Sequence, residues 1–154
     1  MVINITRELI ERRVCFMSTK KVRADLVGNM GFKMNLDGHT LITDASKEIG
    51  GEDLGPRPKV LLLSGLIGCT GIDVVSILNK MKVEPDSFAI EVEAEEAEDH
   101  PKVYTKIHLI YKFKGSDLPK DKIERAVSLS QERYCGVSAM LEKAAPITYE
   151  VVIE

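Results

Sequence analysis

Apolar and polar residues alternate over much of the chain, a pattern typical of strands that bury one face. From Val22 to Thr43 this alternation is interrupted twice, at Gly28-Asn29 and at Asp37-Gly38. An Asp-Gly pair between two alternating runs is a strong signal for a two-residue hairpin turn. The pattern therefore predicts a meander of two or three strands in this part of the chain.

A second hairpin is predicted after Pro85, with its turn at residues 96–101. The expected core-facing positions are Phe88, Ile90, Val92 and Ala94 in the first strand, and Val103, Thr105, Ile107, Leu109, Tyr111 and Phe113 in the second. Glutamates fill the outer face of the first strand and lysines that of the second. Opposite charges on neighbouring strands attract, so we expect them to pair across the hairpin.

Between the hairpins lies an apolar run, Val60 to Leu78, in which Asp73 is the one charged residue among 19. This length raises a membrane span as an alternative, but a charge near its centre costs roughly 2.5 to 3.5 kcal/mol on an insertion scale. We interpret the run as a helix that is apolar nearly all round and lies at the centre of a core or an oligomer. Pro58, at the end of the glycine- and proline-rich loop that begins at Ala45, is expected in its first turn.

The C-terminal part of the chain reads as helices followed by a strand. Ser116-Asp117 is predicted to cap a helix that has Pro119 in its first turn. Gly136 is expected to interrupt this helix, a short helix should end by Pro146, and Ile147 to Ile153 reads as a terminal strand. The predicted inner stripe of the longer helix consists of Ile123, Val127, Ser130 and Tyr134. The order of elements indicates an α+β fold, with residues 1–21 as an N-terminal arm and residues 22–154 as the domain.

Charge and cysteine content narrow the classes of function. The formal net charge of -3 lacks the basic excess that binding to a phosphate backbone needs, so we expect no nucleic-acid partner. Three cysteines, without a recognisable signal peptide ahead of them, disfavour a secreted disulfide framework and predict a reducing, cytoplasmic location. The three histidines have no spacing that would gather ligands, so we expect no metal.

Two cysteines lie in segments suited to thiol chemistry. Cys69 follows Gly65 and Gly68, which clear space for a close approach, and Cys135 comes just ahead of a short helix, whose N-terminus can lower a thiol pKa. The alternative is that both are ordinary buried cysteines, which are common in protein cores. Cys15, in the N-terminal arm, is interpreted as incidental.

Two motifs resemble those of a known family. The segment from Gly55-Pro56-Arg57-Pro58 through Leu63-Ser64-Gly65-Leu66-Ile67-Gly68-Cys69-Thr70-Gly71-Ile72-Asp73 resembles the first cysteine motif of the OsmC/Ohr family of osmotically inducible proteins and organic hydroperoxide reductases. Tyr134-Cys135-Gly136-Val137-Ser138 looks like its second cysteine motif. The resemblance covers roughly residues 22–154 and matches the OsmC-like branch.

The resemblance implies an intertwined homodimer in which antiparallel sheets surround a long buried central helix. It further implies a thiol-dependent peroxidase for organic hydroperoxides that needs no cofactor. In that cycle Cys69 attacks the peroxide and becomes a sulfenic acid, Cys135 resolves it as a disulfide, and a dithiol reductant restores both thiols.

The chain departs from the family's peroxidases at two positions. Lys59 stands where they carry a glutamate about ten residues before the first cysteine, and their arginine near the first strand turn has no counterpart. Arg57, Lys59 or Glu52 is therefore predicted to stabilise the thiolate or bind the peroxide instead. The departures also leave open a non-enzymatic OsmC-like dimer that binds a small apolar ligand or senses oxidation, and a structural dimer whose cysteines only pack.

Overall fold

The computed structural model describes residues 19–154, which fall into two units divided between Pro56 and Arg57. Cys15 and most of the predicted N-terminal arm lie outside the described residues.

The first unit contains the predicted meander. Strands β1 (Ala24–Val27), β2 (Gly31–Leu36) and β3 (His39–Thr43) form an antiparallel sheet in sequence order. The turn between β2 and β3 has positive φ at both Asp37 (51°) and Gly38 (89°). This is the conformation that a two-residue hairpin of this twist needs, so the predicted Asp-Gly turn is confirmed.

The loop after β3 is organised by the carboxylate of Asp44, which is almost fully buried. Its oxygens accept the backbone N–H groups of Ala45 at 2.7 Å, Glu52 at 3.0 Å and Leu54 at 3.1 Å. A buried carboxylate needs such donors, since an unpaired charge in the interior is costly. Around it the loop forms one turn of 3₁₀-helix, Lys47–Ile49.

The second unit packs a long helix, α1 (Val60–Lys80), on a sheet of β4 (Ser87–Glu96), β5 (Tyr104–Lys114) and β6 (Ile147–Ile153). β5 lies in the middle, antiparallel to β4 and parallel to β6. The expectation of purely antiparallel sheets is therefore wrong for this unit. The chain returns to β6 through a long helical connection, which permits a parallel neighbour where a tight turn would not.

Only one stripe of α1 is buried within the chain. Its members, four residues apart, are Leu66, Thr70, Val74 and Leu78, and they pack with the inner face of β5 at Ile107, Leu109, Tyr111 and Phe113. Leu63, Ile67 and Ile77 flank this stripe and are partly buried against the core, while apolar side chains farther round the helix are open, with Ile72 73% and Leu62 50% exposed. Within the described chain by itself, burial therefore covers one stripe of the helix that was expected at the centre of a core or an oligomer. Among the helices of residues 19–154, α1 alone is long and apolar enough to cross a membrane, but it uses its buried stripe as a core helix.

The β4–β5 hairpin confirms the predicted alternation of β4 and the cross-strand ion pairs, with Glu91 bound to Lys112 and Glu95 bound to Lys106. Its outer end differs from the prediction. A β-bulge beside Glu95 shifts the register, which turns the ring of Tyr104 into the core. The side chains on either side of it in the sequence face the other way: Val103 and Thr105 are exposed, so the prediction that they line the core is wrong.

Three helical segments connect β5 to β6: α2 (Lys120–Leu129), a π-helical turn (Ser130–Tyr134) and α3 (Gly136–Leu141). Pro119, not Ser116-Asp117, occupies the N-cap of α2 and offers no side-chain cap, which corrects the predicted start. Ile123, Val127 and Ser130 are buried as predicted, but Tyr134 is 52% exposed. The wider π turn rotates Tyr134 off the stripe.

Candidate active site around two cysteines

The structure brings together two sulfur atoms that are far apart in sequence. Cys69 lies in the middle of α1, and Cys135 is the N-cap residue of α3. Their Sγ atoms and a carboxylate oxygen of Asp73 all lie within 4.8 Å of one another. Both thiols are free, Cys135 is buried and Cys69 is half-buried. The two side chains singled out from the sequence thus belong to one cluster.

Two consecutive backbone amides at the start of α3 each contact one of the sulfurs. Cys135 adopts an extended conformation that ends the π turn, and its Sγ accepts the N–H of Ser138 at 3.3 Å. The N–H of Val137 is donated to the thiol of Cys69. Hydrogen bonds of this kind favour negative charge on sulfur, so the local backbone can support a thiolate or a sulfenate at either position.

The surroundings of Cys69 oppose that effect. Burial raises the pKa of the Cys69 thiol most strongly, and the hydrogen bond from the Val137 amide lowers it. Cys135, through its hydrogen bond and charge, and Asp73, through its charge, also raise the pKa. The net shift is upward, so more of Cys69 is protonated at neutral pH than of a free cysteine. The charged neighbour of Cys69 is thus the acidic Asp73, whereas a cation in that position would lower the pKa of a peroxidatic thiol.

A chain of buried polar groups runs behind the sulfurs and ends at Asp73. The chain begins at Gln131, whose Nε2 donates to Tyr111 Oη at 2.6 Å. Tyr111 Oη lies 2.6 Å from Thr70 Oγ1, which lies 2.9 Å from Ser130 Oγ. Ser130 Oγ in turn donates to Asp73 Oδ2 at 3.3 Å. An amide nitrogen only donates and an ionised carboxylate only accepts. The three hydroxyls between them can therefore all donate toward Asp73, which gives every member a partner and fixes the carboxylate beside Cys69.

Burial raises the pKa of Tyr111 to about 12, against the opposing hydrogen bonds of Thr70 and Gln131. The phenol is accordingly neutral at physiological pH and acts in this chain as a hydroxyl. Its ring also packs on the aromatic side chains of neighbouring strands, edge-on to Tyr149. The network is therefore part of the core as well as of the site.

The other residues proposed from the sequence have partners of their own. Lys59 Nζ lies 2.6 Å from Glu96 Oε2, donates to the carbonyl oxygen of Lys102 at 2.9 Å and stands 5.1 Å from the centre of the Tyr104 ring. At 1.5 Å per residue, the ten positions to Cys69 correspond to about 15 Å along the helix axis. The contacts of Lys59 with Glu96 and Lys102 thus link the β4–β5 loop to the start of α1.

Glu52 and Arg57 lie in the segment around the division of the two units. In the first unit, Glu52 Oε2 accepts the backbone N–H of Asn29 at 2.9 Å, next to the positive-φ turn at Gly28. In the second unit, the carbonyl oxygen of Arg57 accepts the N–H of Val60 at 3.1 Å as α1 begins. These contacts give Glu52 a structural role in its turn.

Sequence reasoning missed Asp73 as a site residue, as well as the polar chain behind it. A signal for Asp73 was present, because residues four apart on a helix share a face and Asp73 follows Cys69 at that spacing. Tyr111 and Ser130 were read only as core positions, and Gln131 was not noticed. Of the described side chains, Cys69, Asp73 and Cys135 form the cluster with the spacing to hold a metal ion.

Two cavities of the second unit are lined mainly by apolar groups. One, of about 210 Å³, lies between the start of α1 and the end of α3, with Leu62, Tyr104 and Leu141 in its wall and Lys59 and Lys102 at its edge. A larger groove of about 630 Å³ follows the exposed side of α1 along β4. Both offer apolar surface to a ligand or another chain.

Comparison with known proteins agrees with this architecture. The family model for OsmC-like proteins matches residues 50–150. Protein YhfA of Escherichia coli K12 is 39% identical over 117 residues, which are 75% of this chain and 84% of that protein. A crystal structure of a hypothetical protein from Aquifex aeolicus VF5 is 31% identical, covers 90% of this chain and 99% of its own, and superposes with a TM-score of 0.76.

More distant structures share the fold. The organic hydroperoxide resistance protein OhrB of Bacillus subtilis is 20% identical, with a TM-score of 0.60 over 87% of this chain and 98% of its own. The chain belongs to the OsmC-like protein family, which confirms the resemblance inferred from its two cysteine motifs.

Proposed function

We propose that the protein is a thiol-dependent peroxidase that reduces organic hydroperoxides, with Cys69 as the attacking thiol and Cys135 as the resolving thiol. The observation that carries the proposal is the pair of free sulfurs within 4.8 Å of each other, each with a backbone N–H of its own. A disulfide bond is about 2.05 Å long, so small side-chain rotations that bring the two sulfurs closer together would allow them to bond.

The cycle balances in three steps. Cys69 attacks the distal oxygen of the hydroperoxide; the O–O bond breaks, the alcohol leaves, and the sulfur becomes a sulfenic acid. Cys135 then attacks that sulfur and water leaves as the disulfide forms. A dithiol reductant supplies two electrons and two protons, which restores both thiols.

The raised pKa of Cys69 shapes the expected kinetics. The thiolate is the nucleophile, so the rate of the first step should rise with pH as Cys69 loses its proton. The Val137 amide stabilises the charged sulfur, and the apolar surroundings favour a hydroperoxide with a hydrocarbon body over hydrogen peroxide.

A cytoplasmic homodimer is part of the proposal. Support comes from the open apolar side of α1, where a Cβ added at Gly65 or Gly68 would meet no atom within 4 Å. Exposed apolar surface of this kind is typical of an association site, and glycines allow two helices to approach closely. A second copy of the same helix would cover the leucine, isoleucine and valine side chains that the single chain leaves open.

The decisive experiment follows consumption of cumene hydroperoxide and of hydrogen peroxide with a dithiol reductant. We expect faster loss of the organic peroxide, no turnover in Cys69→Ser, and trapping of a Cys69 sulfenic acid by dimedone in Cys135→Ser. Cys15→Ser is the matched control and should keep full activity. A folded protein that consumes neither peroxide would contradict the proposal.

The second candidate is a non-enzymatic dimer that binds a small apolar ligand. Two observations favour it: Lys59 is paired with Glu96 and Lys102 ten positions before Cys69, and the cavity of about 210 Å³ is apolar apart from the lysines at its edge. If peroxide is not consumed, saturable binding of a short fatty acid, weakened by Leu62→Ser, would support this alternative.

A further inference from the structure

The cluster at the cysteine pair carries a donor set that peroxide chemistry does not require. Two thiols and one carboxylate converge to within 4.8 Å, from α1 and from the start of α3. It is the one group of three such donors found among residues 19–154. Asp73 adds nothing to thiolate formation at Cys69, since its charge opposes it.

We propose that the reduced site binds one Zn²⁺ ion through Cys69 Sγ, Cys135 Sγ and a carboxylate oxygen of Asp73, with water as the fourth ligand. Soft thiolate donors favour zinc over magnesium or calcium, and two sulfurs with one oxygen suit its tetrahedral geometry. Bonds of about 2.3 Å to sulfur and about 2.0 Å to oxygen place tetrahedral donors within 4 Å of each other. The observed spacing therefore needs only a slight closure of the three side chains.

The groups around these donors fit the requirements of a metal site. Ser130 Oγ donates to one carboxylate oxygen of Asp73, Oδ2, at 3.3 Å, which orients the carboxylate. The N–H groups of Val137 and Ser138 hold the two sulfurs in place. Such outer contacts orient ligands and commonly change metal affinity by about 10- to 100-fold when removed.

An ion also has a route to the site. Asp73 lies at the wall of a surface cavity of about 420 Å³, whose other lining residues include Ser76, Lys80 and Tyr134. Lys80 is the one cation in that lining, and at the end of α1 it is exposed. The carboxylate can therefore meet a hydrated cation from solvent before the sulfurs do.

Metal binding and oxidation exclude each other at this site. A hydroperoxide that oxidises the zinc-bound dithiolate takes two electrons from the sulfurs and two protons from solvent, and leaves as alcohol and water, while the sulfurs form a disulfide and Zn²⁺ is released. A disulfide sulfur is a far poorer ligand than a thiolate. The same two atoms would thus hold zinc when reduced and release it when oxidised.

The test uses the full chain, reduced and freed of metal, and titrates it with Co²⁺ as a spectroscopic stand-in for Zn²⁺. We expect one Co²⁺ per chain, with a sulfur-to-cobalt charge-transfer band in the near ultraviolet that Zn²⁺ displaces. Cys69→Ser and Cys135→Ser should each lose the two-sulfur spectrum, and Asp73→Asn should weaken binding by about tenfold or more. The disulfide form should show no band.

Cys15→Ser and Asp86→Asn are the matched controls and should bind as the unchanged chain does. Circular dichroism of each variant checks its fold. A reduced protein with no charge-transfer band, or with a band of unchanged intensity in Cys69→Ser, would overturn the zinc site. An affinity unchanged by Asp73→Asn would overturn the role of the carboxylate. None of these measurements depends on peroxide turnover, so they test the zinc site independently of the proposed peroxidase activity.

Discussion

Removal of one hydroxyl group, in Tyr111→Phe, tests whether the polar chain behind the cysteines forms in solution. Tyr111 Oη has two partners at 2.6 Å, Thr70 Oγ1 and Gln131 Nε2, and its ring is fully buried. Each hydrogen bond contributes about 0.5 to 1.5 kcal/mol to stability, so the loss of both is worth about 1 to 3 kcal/mol.

The remaining contacts place the expected cost in the lower part of that range. Without the phenol oxygen, Gln131 Nε2 still donates to Thr70 Oγ1 at 3.1 Å, and Thr70 Oγ1 still lies 2.9 Å from Ser130 Oγ. Neither partner of Tyr111 is left entirely unpaired. We therefore expect Tyr111→Phe to lower the free energy of unfolding by about 1 to 2 kcal/mol.

Urea unfolding, followed by circular dichroism at fixed protein concentration, measures this difference. Tyr149→Phe is the matched control: it removes the same atom from a ring that packs edge-on against Tyr111, is 39% exposed, and should cost less than about 0.5 kcal/mol. Thr70→Val combined with Tyr111→Phe should cost less than the sum of the two single changes, since they share a bond. Equal stabilities of Tyr111→Phe and Tyr149→Phe would refute the network.

Three further predictions concern pH, helix association and Lys59. Folding raises the pKa of Tyr111 to about 12, whereas tyrosine in the unfolded chain ionises near 10, so the free energy of unfolding should fall as pH rises from 10 to 12. Tyr111→Phe lacks this group, so its fall over the same range should be smaller by about 2 kcal/mol. Urea unfolding at a series of alkaline pH values measures both. Gly68→Ala should raise helix stability by about 0.5 to 1 kcal/mol in a monomer but weaken a dimer in which helices meet there, which sedimentation and thermal unfolding over a range of concentrations distinguish. Lys59→Met should loosen the β4–β5 loop yet leave the alkylation rate of Cys69 unchanged, and a slower rate would restore Lys59 as a thiolate-stabilising residue.

Local pattern was sufficient for the regular parts of the fold. The alternation that defines β4 and the Asp37-Gly38 turn acts between neighbours in sequence, and both were predicted correctly. The bulge beside Glu95 and the π turn at Ser130 each insert one residue into a regular repeat, so they rotate everything beyond them. Nothing in the alternation itself reports such an insertion, and Val103, Thr105 and Tyr134 were misassigned for that reason.

The site was predictable in part. Each cysteine was recognisable from its own flanking residues, and their family membership follows from the same motifs. The polar chain could not be predicted, because Tyr111 and Gln131 come from separate elements and meet Thr70 only after β5 and the π-helical turn have packed on α1. The prediction for Lys59 did not include Glu96, whose Oε2 lies 2.6 Å from Lys59 Nζ next to the register shift.

The distance in sequence between the two sulfurs has a consequence for the lifetime of the folded protein. Cys69 and Cys135 are 66 positions apart, so a bond between them would close most of the second unit into a loop. Restricting the unfolded chain in this way adds about 4 kcal/mol of stability for a loop of such length. The oxidised molecule would then outlast the reduced one against proteolysis and heat, and the persistence of the protein in a cell would itself record its exposure to oxidants.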